Sequence, residues 1–258
     1  MHNSPGIDPA RGGGYTPPMN AKAVAAAFLL LAGAASAEGP GDLVREIRAM
    51  GARQAARDRR ERAQPRVVTL RRLVCDGSGA TPEDLAEDLR EARRVYAACG
   101  VEVRALPPET FASDYGAPAP CQLSAGYDLE TLPPDQRALF SRYADPSELR
   151  VFYLSWRAGP EGPRTAGTSV PEDLVRLAKG DNAEDLRLVG SLAVFHKARR
   201  FMGARFVLPH EMGHVLLDQS RHSKTPGDLM QEWGKGSALT PEQCARVRAS
   251  PFARPAGR

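Results

Sequence analysis

Histidine is scarce in this sequence, with five residues in 258, and the excess of positive charge is small. The 35 basic and 31 acidic residues leave a formal net charge of +4, which is too little to indicate a nucleic-acid partner. Long apolar runs are missing as well, since residues 23–32 form a run of only ten. With 42% hydrophobic residues, the composition excludes a wholly disordered chain and a multi-span membrane protein. The length predicts one domain, or two small ones.

The first 37 residues have the pattern of a targeting segment. Residues 19–37 combine the positive charge of Lys22, the apolar run and an Ala-Ser-Ala cleavage site at residues 35–37, which together predict a secretory signal peptide. The run is too short to span a bilayer as a helix. Residues 1–18 are interpreted as a non-native or untranslated leader, with translation starting at Met19. We therefore expect a secreted or periplasmic protein with no stable membrane span after cleavage.

The four cysteines lack the close Cys-x-x-Cys spacing that cysteine zinc sites use. Their number is even, and in an exported protein an even number predicts disulfide bonds. Two disulfides, with three possible pairings, are therefore expected among Cys75, Cys99, Cys121 and Cys244.

Hydrophobic periodicity and turn signals divide the mature chain into strands and helices. Residues 38–66 are rich in Arg, Ala and Glu and predict a charged helical or flexible lead segment. Thr81, followed by Pro82 and two acidic residues, predicts the N-cap of a helix that ends at Gly100. Residues 107–147 have no sustained period and predict a long loop. An α+β fold on a mixed sheet follows, with strands at residues 67–74, 101–106, 149–156, 166–170 and 189–195.

Residues 210–214 read His-Glu-Met-Gly-His and carry the strongest functional signal. On a helix, positions i and i+4 lie on one face, so His210 and His214 can bind one zinc ion. Glu211, next to the first histidine, is then placed as the general base toward a zinc-activated water. Pro209 precedes the motif, so it must lie in the first turn of the helix or kink it.

A catalytic zinc site uses three protein ligands and an open fourth position, so a third ligand is needed. His222 lies beyond the helix and can fold back, which makes it the first candidate, and Glu232 is the alternative. Asp218 continues the i, i+4 series, but along a helix it lies about 12 Å from His210, too far for one metal. It is therefore expected to cap the helix or to orient a ligand. His196 is interpreted as a histidine at a strand end or on the surface.

The segment HEMGHVLLDQSRHSKTPGDLM resembles the active-site segment of the metzincin zinc peptidases. The resemblance implies one catalytic domain over residues 67–258, in which a backing helix and an active-site helix pack on a mixed, twisted sheet. A C-terminal helix follows a methionine turn, for which the resemblance implies Met230. The general base implied is Glu211. The cofactor implied is Zn²⁺, with the ligands His210, His214 and His222.

Three features depart from the metzincin pattern. Seven residues, rather than five, separate the second and third histidines, and Leu217 stands where the family has Gly. No tyrosine follows Met230.

Metzincins bind substrate along an edge strand beside the site, which here is either residues 166–170 or residues 189–195. Downstream, Thr240 begins a capping box that predicts the C-terminal helix.

The sequence therefore predicts an exported zinc-dependent endopeptidase that acts as a monomer on a peptide or protein substrate. Two alternatives stay open. The first is a zinc-binding surface or partner-binding protein without hydrolytic activity, and the second is a zinc hydrolase of a non-protein amide. Glu211 argues against the first alternative, because a purely structural zinc site has a fourth protein ligand and needs no base.

Overall fold

The computed structural model describes residues 40–117, 119–124, 133–158, 166–179, 186–196, 205–232 and 236–256. The leader and the predicted signal peptide lie outside the described residues. Helix α1 belongs to a first unit that ends at Ala63, and the other elements form a second unit from Gln64 onward. Within the described part of the chain, no helix combines the length and the apolar character needed to cross a membrane.

The second unit is an α+β domain. The elements of the described chain are, in order, α1 (Pro40–Ala63), β1 (Arg66–Cys75), α2 (Pro82–Ala97), β2 (Val101–Ala105), β3 (Glu109–Phe111), β4 (Gln122–Ser124), α3 (Pro134–Arg142), β5 (Leu149–Leu154), β6 (Trp156–Ala158), β7 (Gly167–Ser169), α4 (Glu172–Lys179), β8 (Ser191–Phe195), α5 (Val207–Leu216), α6 (Pro241–Ala249) and β9 (Arg254–Pro255).

The main sheet has the order β2-β1-β5-β8-β7. The first four of these strands are parallel, and β7 runs antiparallel to β8, so the predicted mixed sheet is confirmed. Strands β3 and β9 also pair with β1, parallel and antiparallel respectively. Strands β4 and β6 form a separate two-stranded sheet.

Hydrophobic side chains cover both faces of the main sheet. Along β5, Val151 and Tyr153 contribute to one apolar cluster, and Phe152 and Leu154 contribute to the other. This alternation follows from the period of two in a strand, and burial of both faces explains why residues 151–154 of β5 form an uninterrupted apolar run. The first cluster includes residues of α2, α5 and α6, and the second includes residues of α3 and α4. The helix with the histidine motif therefore packs on the face of the sheet that carries the first cluster.

The predicted start of α2 is confirmed. The Thr81 hydroxyl accepts from the Asp84 backbone N–H, and the Asp84 carboxylate accepts from the Thr81 N–H, with Pro82 in the first turn. The helix ends before Gly100, whose φ of +67° lies in the left-handed region that glycine adopts most readily. The start of α6 is confirmed in the same way, by a capping box between Thr240 and Gln243.

The long loop predicted for residues 107–147 is wrong in part, because β3, β4 and α3 lie inside it. Strands β3 and β4 have three residues each and pair with the distant strands β1 and β6. Such short strands show no period, and tertiary pairing creates them. Helix α3 begins with Pro134 and Asp135, a recognisable start signal, but its nine residues are too few for a clear helical period.

Two strand ends also differ from the prediction. Residues 149–156 do not form one strand, because β5 ends at Leu154 and Trp156 begins β6 in the second sheet. The strand predicted at residue 189 begins at Ser191 instead. Gly190 has φ +91° and a β-carbon there would lie 2.6 Å from the Phe252 ring, so this position is a tight turn.

The predicted number of disulfides is confirmed, and the structure determines their pairing. Cys75 at the end of β1 is bonded to Cys121, and Cys99 just after α2 is bonded to Cys244 in α6. The second bond joins positions 145 residues apart and ties the C-terminal helix to α2. Since all four cysteines are bonded, none is available as a nucleophile or as a zinc ligand.

Candidate metal centre

Helix α5 carries the histidine motif and is buried along its whole length. Pro209 is its third residue, so it lies in the first turn and does not kink the helix. The Tyr96 hydroxyl of α2 donates to the Pro209 carbonyl at 2.8 Å. His210, Glu211 and His214 are 4%, 6% and 6% exposed, so the motif is held inside the domain rather than on its surface.

The side chains of His210 and His214 are oriented by backbone carbonyls. Nδ1 of His210 lies 2.7 Å from the Leu229 carbonyl oxygen, and Nδ1 of His214 lies 2.7 Å from the Gln219 carbonyl oxygen. A carbonyl oxygen can only accept, so each Nδ1 carries the proton and donates. Each Nε2 is then left with a lone pair, and these two atoms are 3.2 Å apart.

This arrangement fits a bound cation. Two Nε2 lone pairs cannot hydrogen-bond to each other, and at 3.2 Å they repel unless a positive centre lies between them. Two nitrogen ligands of a tetrahedral zinc ion, with Zn–N bonds of about 2.0–2.1 Å, lie about 3.3–3.4 Å apart. The carbonyls that hold Nδ1 are the outer partners typical of histidine ligands. The donor set and its spacing therefore match a zinc site.

His222 joins the first two histidines. Its ring centroid lies 5.2 Å from that of His210 and 5.0 Å from that of His214, and the ligand atoms of all three lie within 4.8 Å of one another. His222 is exposed, so the triad opens to solvent on its side. Glu232, the alternative third ligand, is exposed and lies outside this group. Among the described residues, the group contains three ligands and no fourth, the number typical of catalytic zinc.

Burial keeps the three imidazoles neutral. Burial, followed by the neighbouring His210, lowers the pKa of His214 to about 3. Burial also lowers the pKa of His210, against the opposing effect of the Leu229 carbonyl. The ring of His222 is only partly withdrawn from solvent, and this together with the neighbouring His210 lowers its pKa against the opposing Glu232 carboxylate. Neutral imidazole is the form that binds a metal, so the site is ready for a cation at neutral pH.

Residues 228–231 form a turn beneath the triad, which we call the methionine turn. The Asp228 carboxylate accepts from the Met230 N–H at 2.8 Å and from the Gln243 side chain of α6 at 3.1 Å. The Leu229 carbonyl accepts from His210, and the Met230 carbonyl accepts from the Ser223 N–H at 2.7 Å. The turn therefore connects the C-terminal helix to His210 and to Ser223, the neighbour of His222.

Met230 packs against α5 at Gly213, between the two helical histidines. Its side chain is fully buried, and a β-carbon at Gly213 would lie 2.4 Å from its Sδ. The methionine predicted by the resemblance therefore lies directly against the helix that carries His210 and His214. The glycine of the motif is needed because its missing side chain leaves room for this contact.

Replacing Gly213 by Ala should therefore destabilise the domain, against the normal preference of helices for Ala. We expect the free energy of unfolding to fall by about 1–3 kcal/mol, because Met230 has to move in a packed core. Denaturant unfolding measures this. Gly51→Ala in α1 is the matched control, since nothing lies within 4 Å of a β-carbon there and the change should not destabilise. Equal or greater stability of Gly213→Ala would contradict the packing.

The connection from α5 to His222 explains the unusual spacing. Leu217, which stands where metzincins have Gly, keeps right-handed geometry, and the left-handed residue is Asp218 with φ +47°. Asp is among the residues that tolerate this region. The Asp218 carboxylate accepts from the Asp173 N–H of α4 at 2.6 Å, and the Asp173 carboxylate accepts from the Ser220 N–H at 2.8 Å. Asp218 therefore caps a neighbouring helix, and this reciprocal pair fixes the turn that leads to His222.

Glu211 points toward the edge strand β7. The Ser169 hydroxyl donates to Glu211 Oε2 at 2.8 Å. A β-carbon at Gly167 would lie 2.6 Å from both Cγ and Oε1 of Glu211, so the side chain lies against the strand backbone. Of the two edge-strand candidates, residues 189–195 are excluded, because β8 is paired on both sides, with β5 and with β7. The strand beside Glu211 is therefore β7.

Two other residues considered from the sequence lie apart from the triad. His196 is buried at the end of β8, with Nδ1 3.5 Å from the carboxylate of Asp84. It is a strand-end residue, as predicted, but it is not on the surface. Asp218 does not belong to the group of converging ligand atoms, and burial raises its pKa against the opposing hydrogen bond from the Asp173 N–H.

Several groups that build the site were not found from the sequence. The carbonyls of Leu229 and Gln219 are backbone atoms, which no residue type signals. Ser169 lies 42 positions from Glu211, and no local pattern joins them. Asp228 had a signal, since Pro-Gly-Asp at residues 226–228 is typical of a turn, but its contact to Gln243 depends on the tertiary fold.

Comparisons with known proteins found structural similarity but no sequence match. No protein-family model matches the chain, and no curated protein sequence matches it. Among solved structures, the crystal structure of metalloproteinase-II from Bacteroides fragilis is similar, with a TM-score of 0.47 and 14% sequence identity over 72% of this chain and 53% of that one. The chain thus spans about half the length of that protein.

Proposed function

We propose that the protein is a zinc-dependent peptidase with a metzincin-like catalytic domain. The observation that supports this best is the converging Nε2 pair of His210 and His214, each oriented by a carbonyl, with His222 beside them. Three histidines without a fourth ligand among the described residues favour a catalytic site over a structural one. A buried carboxylate follows the first ligand, which a purely structural site does not need.

His210, His214 and His222 would hold the metal. Bound zinc supplies a Lewis acid that polarises the scissile carbonyl and makes water reactive near neutral pH. Glu211 would accept the proton of the attacking water and deliver it to the leaving amine, as a general base and then a general acid. Ser169 and the backbone at Gly167 hold that carboxylate on the side of β7.

We also propose that the protein is exported. Two disulfides with no free cysteine support this, because such bonds persist in oxidising compartments. The predicted signal peptide at residues 19–37 also supports export.

Metal content and peptide cleavage test the proposed function. We expect the purified full chain to hold one zinc ion, measured by mass spectrometry of the metal, and to cleave a mixed-sequence peptide library. A chelator should stop cleavage, and added zinc should restore it. One zinc per chain with no cleavage of any peptide would overturn the peptidase and support the non-hydrolytic alternative. Cleavage that survives complete metal removal would overturn the zinc mechanism.

A further inference from the structure

We propose that Ser169 is a positioning residue that holds the Glu211 carboxylate in the place where it exchanges protons. This inference rests on the proposed function, because it takes Glu211 as the base. Ser169 belongs to β7 and Glu211 to α5, so the contact joins the edge strand to the metal-binding helix.

The contact is a buried hydrogen bond to a carboxyl group. The Ser169 hydroxyl donates to Oε2 of Glu211 at 2.8 Å, and the two residues are 8% and 6% exposed. Hydrogen bonds to an ionised carboxylate are about twice as strong as bonds between neutral groups. A glutamate side chain has three rotatable bonds, and this contact fixes the end of the chain farthest from the helix.

The strand offers a place for the carboxylate as well as a donor. Residues i and i+2 of a strand share a face, so Gly167 and Ser169 face the same way. At Gly167 the missing side chain leaves room for Cγ and Oε1 of Glu211, which lie 2.6 Å from where a β-carbon would be. Two residues after Gly167, the Ser169 hydroxyl donates a hydrogen bond to Oε2 of Glu211. The pair determines both the position and the rotation of the carboxylate.

The strand itself is held in register. Ser169 pairs with Leu192 and Gly167 pairs with Val194 of β8, and the Val170 N–H donates to the Ser191 carbonyl at 2.9 Å. Strand β8 is an inner strand of the main sheet. The position of the Ser169 hydroxyl is therefore set by the sheet rather than by a loop, as precise placement of a catalytic group requires.

Kinetics of zinc-loaded full-length variants test the proposal. Ser169→Ala should lower kcat about 10- to 100-fold with an unchanged zinc content and a KM within about twofold, as expected for loss of an orienting partner. Ser169→Thr keeps the hydroxyl and should restore most of kcat. Ser191→Ala is the matched control, because it removes a buried hydroxyl of β8 that has no hydrogen-bond partner among the described residues. Its kcat should equal that of the wild type.

Crystal structures of the wild type and of Ser169→Ala give a readout that does not depend on activity. We expect the Glu211 carboxylate of the variant to leave its position against Gly167 or to lose order. An unchanged kcat together with an unchanged carboxylate position would overturn the proposal, and so would loss of zinc from Ser169→Ala, which would make the role structural. If the wild type holds zinc but cleaves no peptide, the proposed function fails, while a displaced carboxylate still supports the positioning contact.

Discussion

Glu211→Gln should retain zinc and lose turnover. The amide keeps the size of the side chain and its contact with Ser169, but it cannot accept a proton from water. General acid–base catalysis contributes about 10²–10⁴-fold, so we expect kcat to fall by that factor with little change in KM. Peptide cleavage and metal analysis on the same preparation measure the two quantities together.

Glu102→Gln is the matched control for this variant, because Glu102 is an exposed residue of β2 that pairs with Arg104. It should cleave like the wild type. Turnover of Glu211→Gln within about threefold of the wild type would remove Glu211 from the mechanism. Loss of zinc from Glu211→Gln would give the carboxylate a structural role instead.

His222→Ala should lose both zinc and cleavage. Groups that only orient a ligand are worth about 10–100-fold in metal affinity, so loss of a ligand itself should weaken zinc binding by more than about 100-fold. Because His222 is exposed, the fold should persist, and the metal-free variant should unfold like the metal-free wild type. Titration calorimetry with zinc measures the affinity.

Glu232→Gln distinguishes the two candidates for the third ligand. Glu232 acts on His222 electrostatically but does not belong to the group of converging ligand atoms. We therefore expect zinc affinity close to that of the wild type. If Glu232→Gln loses zinc and His222→Ala keeps it, the third ligand is Glu232, and the turn after α5 must rearrange when the metal binds.

The predictions from the sequence succeeded where the signal was local. In the capping boxes at Thr81 and Thr240, each side chain binds a backbone N–H that lies three residues away in the sequence. The local pattern alone therefore located two helix starts. The two histidines at i and i+4 likewise share a face by helix geometry alone. The number of disulfides followed from an even cysteine count in a chain with a predicted signal peptide.

The predictions failed where short elements depend on distant partners. Strand β3 exists because it continues the pairing of β1 beyond β2, and β4 exists because β6 lies beside it. Neither has enough residues to show a period. The edge strand could not be chosen from the sequence for a related reason. Residues 166–170 and 189–195 are both predicted strands, and only the strand order shows which of them lies at the edge of the sheet.

For this protein, the sequence by itself determined the two helical histidines, the adjacent glutamate and the helix that carries them, because a single helix turn links all three. The tertiary structure decided what local spacing does not encode: His222 rather than Glu232 beside the pair, the disulfide pairing, Met230 against Gly213, and Ser169 on Glu211. These contacts join residues 8 to 145 positions apart, so they depend on the path of the chain between them.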